Sequence, residues 1–403
     1  MRGEGVWIPE GARRRAALRG TVLTSHFQHP YLPSVHLYVH VPFCARRCSY
    51  CDFAIAVRKD VPSARFATAL LAEWQRWRHD PVWAEFPEFS TVYFGGGTPS
   101  RLDPAVLADL LGRLTRDRPI AAAAEVTLEA NPEDVTPALS RAWREAGINR
   151  VSLGVQSFDP AVLQWMHRTH HAEQAAEAVL VLRAAGIPSI SMDLIYALPP
   201  EIPRDWELDL ERALALEPDH LSLYGLTVEQ HTPLARWMNR GEAHAAPEDS
   251  YADEFLTAHD RLTGAGFRHY EVSNYGRPGR EAAHNSAYWR RAPYLGLGPS
   301  AHSGLGDRRW WNVREWSAWA EAISHGVSTI MGEERLDAEA LALETLYLGL
   351  RTDSGLPAET IPVDLTQTWI REGWAAIGED RLRLTAEGWL RLDALVAQAA
   401  TQA

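Results

Sequence analysis

Between residues 36 and 224, short β-branched or apolar runs alternate with longer stretches of helical periodicity, which predicts repeated β-α units around a parallel sheet. The strand-like runs fall at 37–41 (LYVHV), 91–94 (TVYF), 125–129 (EVTLE), 150–155 (RVSLGV), 189–194 (SISMDL) and 220–224 (HLSLY). Helical patterns separate them at 63–78, 104–116, 137–146, 172–185 and 204–216. Asp103-Pro104 and Thr136-Pro137 carry the signals of a helix start, and Gly147 and Gly186 follow two helices where a left-handed stop is favoured. Six units predict an α/β fold, an incomplete TIM-like (β/α)6 barrel, with a doubly wound open sheet as the alternative. In either one, ligands collect at the carboxyl ends of the strands.

After residue 224 the alternation stops, and the chain becomes rich in His, Trp, Tyr and Gly as far as about residue 312. A further helical stretch, RLDAEALALETLYLGLR, leads into a tail that reads as helix, strand, helix in TWIREGWAAIG, DRLRLT and AEGWLRLDALVAQA. The expected organisation is an extension at 1–33, the barrel at 34–230, an elaboration at 231–330 covering the barrel mouth, and a C-terminal α+β domain at 331–403. That last domain resembles a winged helix but is too poor in basic residues for a nucleic-acid recognition role.

Composition narrows the function. A formal net charge of −12 argues against a general nucleic-acid binder, which needs a basic surface to neutralise phosphates. No apolar run approaches the length that spans a bilayer, and the opening residues lack the apolar core of a secretory signal, so a cytoplasmic location without an integral membrane segment is expected. Arg2, Arg13, Arg14, Arg15 and Arg19 in the extension read as a solvated charge run.

The chain has three cysteines, Cys44, Cys48 and Cys51, all in the loop after the first strand, in YVHVPFCARRCSYCDF. An odd, clustered set in a reducing compartment reads as a metal or catalytic site rather than a disulfide framework. Three thiolates at C-x3-C-x2-C can each take one iron of a [4Fe-4S] cubane, and with no fourth cysteine one iron stays open to another ligand. A structural zinc site of three cysteines with His36 or His40 is the competing metal reading. Downstream, Tyr93 to Ser100 reads YFGGGTPS. Three glycines at a strand end serve either a tight β-α turn or a close backbone approach to a charged small molecule. Glu129, Gln156 and Asp193 stand at or near later strand ends, and Arg168 follows in QWMHRTH. By type, the carboxylates suit an amine or ribose hydroxyls, Gln156 a hydroxyl or amide, and Arg168 a carboxylate. Each also reads as a satisfied polar group closing a barrel strand.

The cysteine spacing, with the aromatic Tyr50 before the last cysteine, resembles the radical S-adenosylmethionine (SAM) superfamily. That resemblance implies a [4Fe-4S] cluster whose open iron is chelated by the amino and carboxylate groups of SAM. Within the superfamily the chain resembles the coproporphyrinogen-oxidase-like subgroup. There Tyr38, Gly96, Gly97, Thr98, Glu129, Gln156, Arg168 and Asp193 fall on matching SAM-site positions. The dehydrogenases of that subgroup continue the loop with a further cysteine, where this chain has Phe53; Cys51-Asp52-Phe53 resembles the heme chaperones instead. His284-Asn285-Ser286-Ala287-Tyr288-Trp289 matches the H-N-x-x-Y-W motif of the same branch.

The resemblance therefore implies a protein that binds the cluster, SAM and heme as cargo, and that delivers heme to acceptor hemoproteins, those of membranes included. The alternative is an oxygen-independent coproporphyrinogen III dehydrogenase, and the core motifs also leave room for a radical SAM enzyme with another substrate. An imidazole among flat rings suits heme, which makes His284, with Tyr288 and Trp289, the leading candidate ligand set. His302 and His269 come next.

Overall fold

The computed structural model describes residues 35–402, so the arginine-rich segment 1–33 lies outside the described residues. Six parallel strands form in chain order: β1 (Val35–Val41), β2 (Phe89–Gly96), β3 (Ile120–Ala130), β4 (Arg150–Gln156), β5 (Ser189–Tyr196) and β6 (His220–Gly225). Each pairs with the next. All six runs expected from the sequence lie inside these strands. β1 is buried at every position, as expected of a strand with one face under helices and the other toward the barrel interior.

The helices that cover the sheet form where their caps allow. Asp103 accepts hydrogen bonds from the amides of Ala105 and Val106, opening Pro104–Asp117, and the Thr136 hydroxyl accepts from the Leu139 amide, opening Pro137–Glu145. Gly147 and Gly186 follow their helices with φ of 104° and 79°, the left-handed stop read from sequence. The buried stripe of Pro104–Asp117, Leu107, Leu110, Leu111 and Leu114, recurs at helical spacing and packs into the main core.

The chain after β6 does more than elaborate a surface. β7 (Arg268–Glu271) and β8 (Asn274–Gly276) add antiparallel strands beyond β6. At the opposite edge β9 (Tyr294–Leu297) pairs in parallel with β1, followed by antiparallel β10 (His302–Leu305), β11 (Arg308–Asn312) and β12 (Ile330–Arg335). The result is one twelve-stranded mixed sheet, with the barrel strands at its centre. Most of these added strands have three to five residues, too few to show a period of two in the sequence. The divisions at 230 and 330 therefore stay a proposal, and hydrogen bonding crosses both.

The tail forms a three-stranded antiparallel sheet of Leu356–Pro357, Arg381–Leu384 and Ala375–Gly378 beside the helices Val363–Arg371 and Leu392–Gln402. Its hairpin turns at Glu379 and Asp380, both at positive φ (54° and 58°), which matches the twist of a two-residue turn. The Trp389 indole donates to the Leu350 carbonyl at 3.0 Å and ties this unit to the helix Ala338–Leu350. Among the described residues no helix is long and apolar enough to cross a membrane.

Candidate functional site

The three cysteines sit on a loop that leaves β1 and is fastened at both ends. Phe43–Cys44 pairs in parallel with Ala56–Val57, the Ala56 amide donates to the Pro42 carbonyl at 2.6 Å, and the Arg58 amide donates to the Cys44 carbonyl at 2.9 Å. His40 anchors the loop from beneath. Its Nε2 donates to the Ala54 carbonyl at 3.0 Å, so Nδ1 accepts from the Tyr38 hydroxyl at 3.1 Å. Burial holds His40 near a pKa of about 4, a neutral ring fully used in this bond. His36 hydrogen-bonds the Thr91 hydroxyl at 2.9 Å. Both histidines of the zinc reading are thus engaged elsewhere.

The glycine run is where the loop meets the sheet. A Cβ on Gly97 would stand 2.8 Å from the Pro42 carbonyl carbon and 3.0 Å from Cys44 Sγ, and one on Gly96, at φ 111°, would stand 2.6 Å from the His40 ring. Only glycine lets the cysteine loop lie against the end of β2. The Gly97 amide donates to the Val41 carbonyl at 2.8 Å, and the Thr98 hydroxyl to Cys44 Sγ at 3.4 Å.

A cavity of about 230 Å³ opens beside the loop, lined by all three cysteines and by the carboxyl ends of β2 to β6. Gly96, Gly97, Thr98, Glu129, Gln156, Arg168 and Asp193 all line it. Tyr38 is fully buried one layer behind, its ring stacked 6.0 Å from Tyr93. Glu129 accepts from the Tyr93 hydroxyl at 2.8 Å and the Gly96 amide at 3.0 Å. Burial raises its pKa to about 7, partly opposed by the Tyr93 bond and reinforced by Asp193. Burial likewise raises Asp193 to about 6, against hydrogen bonds from Ser222 and Ser152. Gln156 ends β4 at φ 69°, an uncommon backbone for a non-glycine residue, next to a register break between Gly154 and Gln156.

Arg168 ties the cavity to the loop. One terminal nitrogen donates to Asn131 Oδ1 at 2.6 Å and the Gly154 carbonyl at 2.7 Å, and the other approaches Cys48 Sγ at 3.6 Å. Its buried Nε has no hydrogen-bond partner among the described residues. Burial pushes the Cys44 thiol up to about 11 and the Cys51 thiol up to about 12, so an incoming metal ion has to displace their protons. Among the described residues no three Cys, His, Asp or Glu side chains converge as ligands of a single metal ion. Three thiols on one loop, a buried donor to spare and a polar cavity alongside fit a cubane and a small charged cofactor. Each thiolate would then reach a different iron.

Sequence reasoning missed several lining residues: Tyr93, Asn131, Arg150, Ser152, Ser222, Tyr224 and Asn285. A signal for some was present. Asp193 pairs in register with Gly154 and Ser222, and Ser152 with Glu129, so alternate polar residues on adjacent strands point inward. Asn285 arrives from outside the barrel units.

The candidate heme residues divide sharply. His284 is buried, with Nδ1 2.6 Å from the Thr91 hydroxyl and Nε2 2.8 Å from the Tyr288 hydroxyl, and its ring stacks 5.0 Å from Tyr93. Neither nitrogen is open to a ligand in this conformation. Trp289 lies under the Arg351 guanidinium, 4.5 Å from the ring centre. His269 is also enclosed, 2.8 Å from His259 and stacked 3.9 Å from Tyr275. His302 differs. It is half-buried, stacked 5.8 Å from Trp311, and held neutral by burial at a pKa of about 4.

Comparison with known proteins places this geometry. The pattern of the radical SAM superfamily matches residues 38–213. The heme chaperone HemW of Mycobacterium tuberculosis is 39% identical over 366 residues, covering 89% of this chain and 93% of that protein. HemW of Escherichia coli is 37% identical over 273 residues, 67% of this chain and 70% of that one. The solved structure of coproporphyrinogen III oxidase (HemN) from Escherichia coli, a radical SAM enzyme, superposes with a TM-score of 0.75 at 22% identity, covering 98% of this chain and 93% of that chain. That last likeness bears on the fold.

Proposed function

The chain belongs to the HemW family of the radical SAM superfamily, and from that membership we propose that it is a heme chaperone, holding heme together with a [4Fe-4S] cluster and SAM and passing the heme to acceptor hemoproteins. The observation that carries the reading is the 39% identity to a HemW protein across nine-tenths of both chains. Family membership brings the cluster and SAM. When bound, a cluster with an open iron supplies a site for SAM and a centre that accepts an electron.

The chain's own residues then have distinct tasks. Cys44, Cys48 and Cys51 would hold the cluster, and Thr98 donates to the sulfur of Cys44. Glu129 offers an acceptor to an amine, and Asp193, backed by Ser152, an acceptor to ribose hydroxyls. The unused Arg168 Nε is a donor left over for a carboxylate. The glycines keep the loop pressed to the sheet so that these groups share one wall.

The cysteine loop weighs against the dehydrogenase alternative, because the dehydrogenases of the subgroup continue it with a further cysteine where this chain has Phe53. Of the three histidines weighed above, His302 is the one that is half-buried rather than buried, and it has a flat neighbour in Trp311, so it takes over from His284 as the proposed ligand.

The test uses anaerobically purified, cluster-loaded protein. Heme bound to it is expected to move to an apo-hemoprotein, and coproporphyrinogen III given with SAM and reductant is expected to stay unconverted; robust conversion would establish the dehydrogenase reading. His302→Ala is expected to shift or abolish the Soret band. A Soret band lost in His284→Ala with folding intact, and retained in His302→Ala, would return the assignment to His284.

A further inference from the structure

Two buried polar atoms face each other behind the cavity wall, and neither has a hydrogen-bond partner among the described residues. They are Oε2 of Glu133, on the short 3-10 turn Pro132–Asp134 that follows β3, and Nδ1 of His170, 3.4 Å away. The His170 side chain is closed to solvent. Its other nitrogen, Nε2, lies 3.0 Å from the Val155 carbonyl, which can only accept, so Nε2 carries a hydrogen. A neutral ring would then set the Nδ1 lone pair against a carboxylate oxygen where water cannot intervene. One further proton between the two removes the conflict.

Three parts of the cavity wall hang on this pair. The Val155 carbonyl also accepts from the Ser157 amide at 2.9 Å, so Gln156 is the middle residue of a three-residue turn, and its φ of 69° is the rare, strained form of that turn. Glu133 Oε1 accepts from the hydroxyl of Thr169, the residue after Arg168. Asn131, two residues before Glu133, accepts from Arg168 at 2.6 Å. A Cβ on Gly154 would stand 3.0 Å from Gln156 Nε2 and 3.4 Å from both Arg168 Nη2 and Asn131 Oδ1, so the three side chains converge on one spot.

The surrounding charges leave the pair to itself. Burial alone would raise Glu133, but His170, Arg168 and Thr169 outweigh it and hold the carboxyl at about 2. Burial disfavours a charged His170; Glu133 opposes that effect and Arg168 adds to it. Asp134, next to Glu133, is taken by the Ser100 hydroxyl at 2.6 Å, and exposed His171 sits 3.1 Å from Glu173, so neither competes. We propose that Glu133 and His170 hold one proton between them as a buried carboxylate–imidazolium pair, and that this pair is the positioning element that presents Gln156 and Arg168 to the cofactor. Both residues act through the groups they hold. Loss of the proton sets two acceptors against each other and loosens the Gln156 turn and the Arg168 loop together, which makes cofactor binding weaken as pH rises. The inference rests on the reading of the cavity as a SAM site.

The proton is read first in full-length, cluster-loaded, oxidised protein without SAM, by nitrogen NMR of isotope-labelled histidine, the His170 signal being assigned from its loss in His170→Gln. Both ring nitrogens are expected to carry hydrogen at about pH 7, and the Nδ1 hydrogen to be lost in Glu133→Gln. SAM affinity is then measured by calorimetry from about pH 6 to about pH 9. Glu129 and Asp193 titrate in the same cavity, so the difference between parent and variant is what counts. Glu133→Gln is expected to lose about tenfold in affinity near neutral pH. His170→Gln keeps a donor toward the carboxylate and has no proton to release, so across the range the parent should lose about tenfold more affinity than this variant. A packing role alone would leave the two profiles parallel. A neutral His170 in the parent at about pH 7 overturns the proposal, as do parallel profiles or a Glu133→Gln affinity within about twofold of the parent at every pH. A parent that shows the imidazolium and binds no SAM overturns the SAM reading and the positioning role together, whereas parallel profiles with SAM bound overturn the positioning role alone.

Discussion

Two glutamates of this protein share a chemistry and differ in every consequence. Glu129, half-buried at the end of β3, and Glu73, fully buried inside the helix Ser63–Trp77, are both raised by desolvation to a pKa of about 7. Glu129 faces the cavity, with two donors on its oxygens and room for a third group. Glu73 faces a sealed seam. It accepts from the Gly298 amide at 2.7 Å, Asn312 Nδ2 at 2.7 Å, the Thr329 hydroxyl at 2.9 Å and the Trp319 indole at 3.3 Å, which stitches the helix to the added edge of the sheet. A perturbed carboxyl therefore does not by itself mark a functional site; the open coordination of its oxygens does.

Removing Glu73 is expected to have the largest effect. Glu73→Ala orphans four buried donors at roughly 1–3 kcal/mol each, not fully additive, so a loss of about 4 kcal/mol or more is expected in urea unfolding. Glu129→Ala, with two donors beside a cavity that admits water, should cost less than half of that. Equal losses would erase the contrast.

The pH dependence comes next. For both glutamates the folded pKa lies above the unfolded value of about 4.5, so the folded state binds more protons in between. Their contribution to stability is therefore full below about pH 4.5 and is lost as pH rises through about 7, by up to roughly 3 kcal/mol per group. Glu129→Gln should flatten the fall in stability between about pH 5 and pH 8 relative to the parent. An unchanged slope would show that Glu129 is already ionised in the fold.

Glu129→Gln also separates the regions by function. SAM affinity of the cluster-loaded variant, measured by calorimetry, is expected to fall about tenfold to a hundredfold, the worth of a charged hydrogen bond, with iron content unchanged. A conservative change at the Glu73 seam, Thr329→Val, should leave SAM binding alone. The smallest effect is expected from Thr98→Val, which removes a long hydroxyl-to-sulfur bond. It should shift the cluster's reduction potential in a spectroelectrochemical titration while changing stability by less than about 1 kcal/mol.

Much of this was legible along the chain. The six barrel strands lay where short apolar runs ended in polar residues, and seven of the eight SAM-site expectations line one cavity. Tyr38 could not be separated from them, because a tyrosine at a strand position reads the same whether its ring faces the cavity or lies a layer behind. The heme histidines could not be ranked for a related reason. A histidine among aromatics looks alike in sequence whether it is half-buried, as at His302, or buried with both nitrogens spent on Thr91 and Tyr288, as at His284. Glu73 gave no signal, since a glutamate in an amphipathic helix is ordinarily on the water side.

The cysteine triad, the lack of a fourth thiol in the chain, and the β-α rhythm that puts strand ends on one side can all be read along the chain. These are properties of spacing over a few residues, set by covalent geometry and by the periods of helix and strand. The tertiary structure alone decided which buried groups are open and which are closed. Those answers depend on partners such as Gly298, Asn312 and Thr329 that lie 225, 239 and 256 residues from Glu73, distances over which no local pattern carries information.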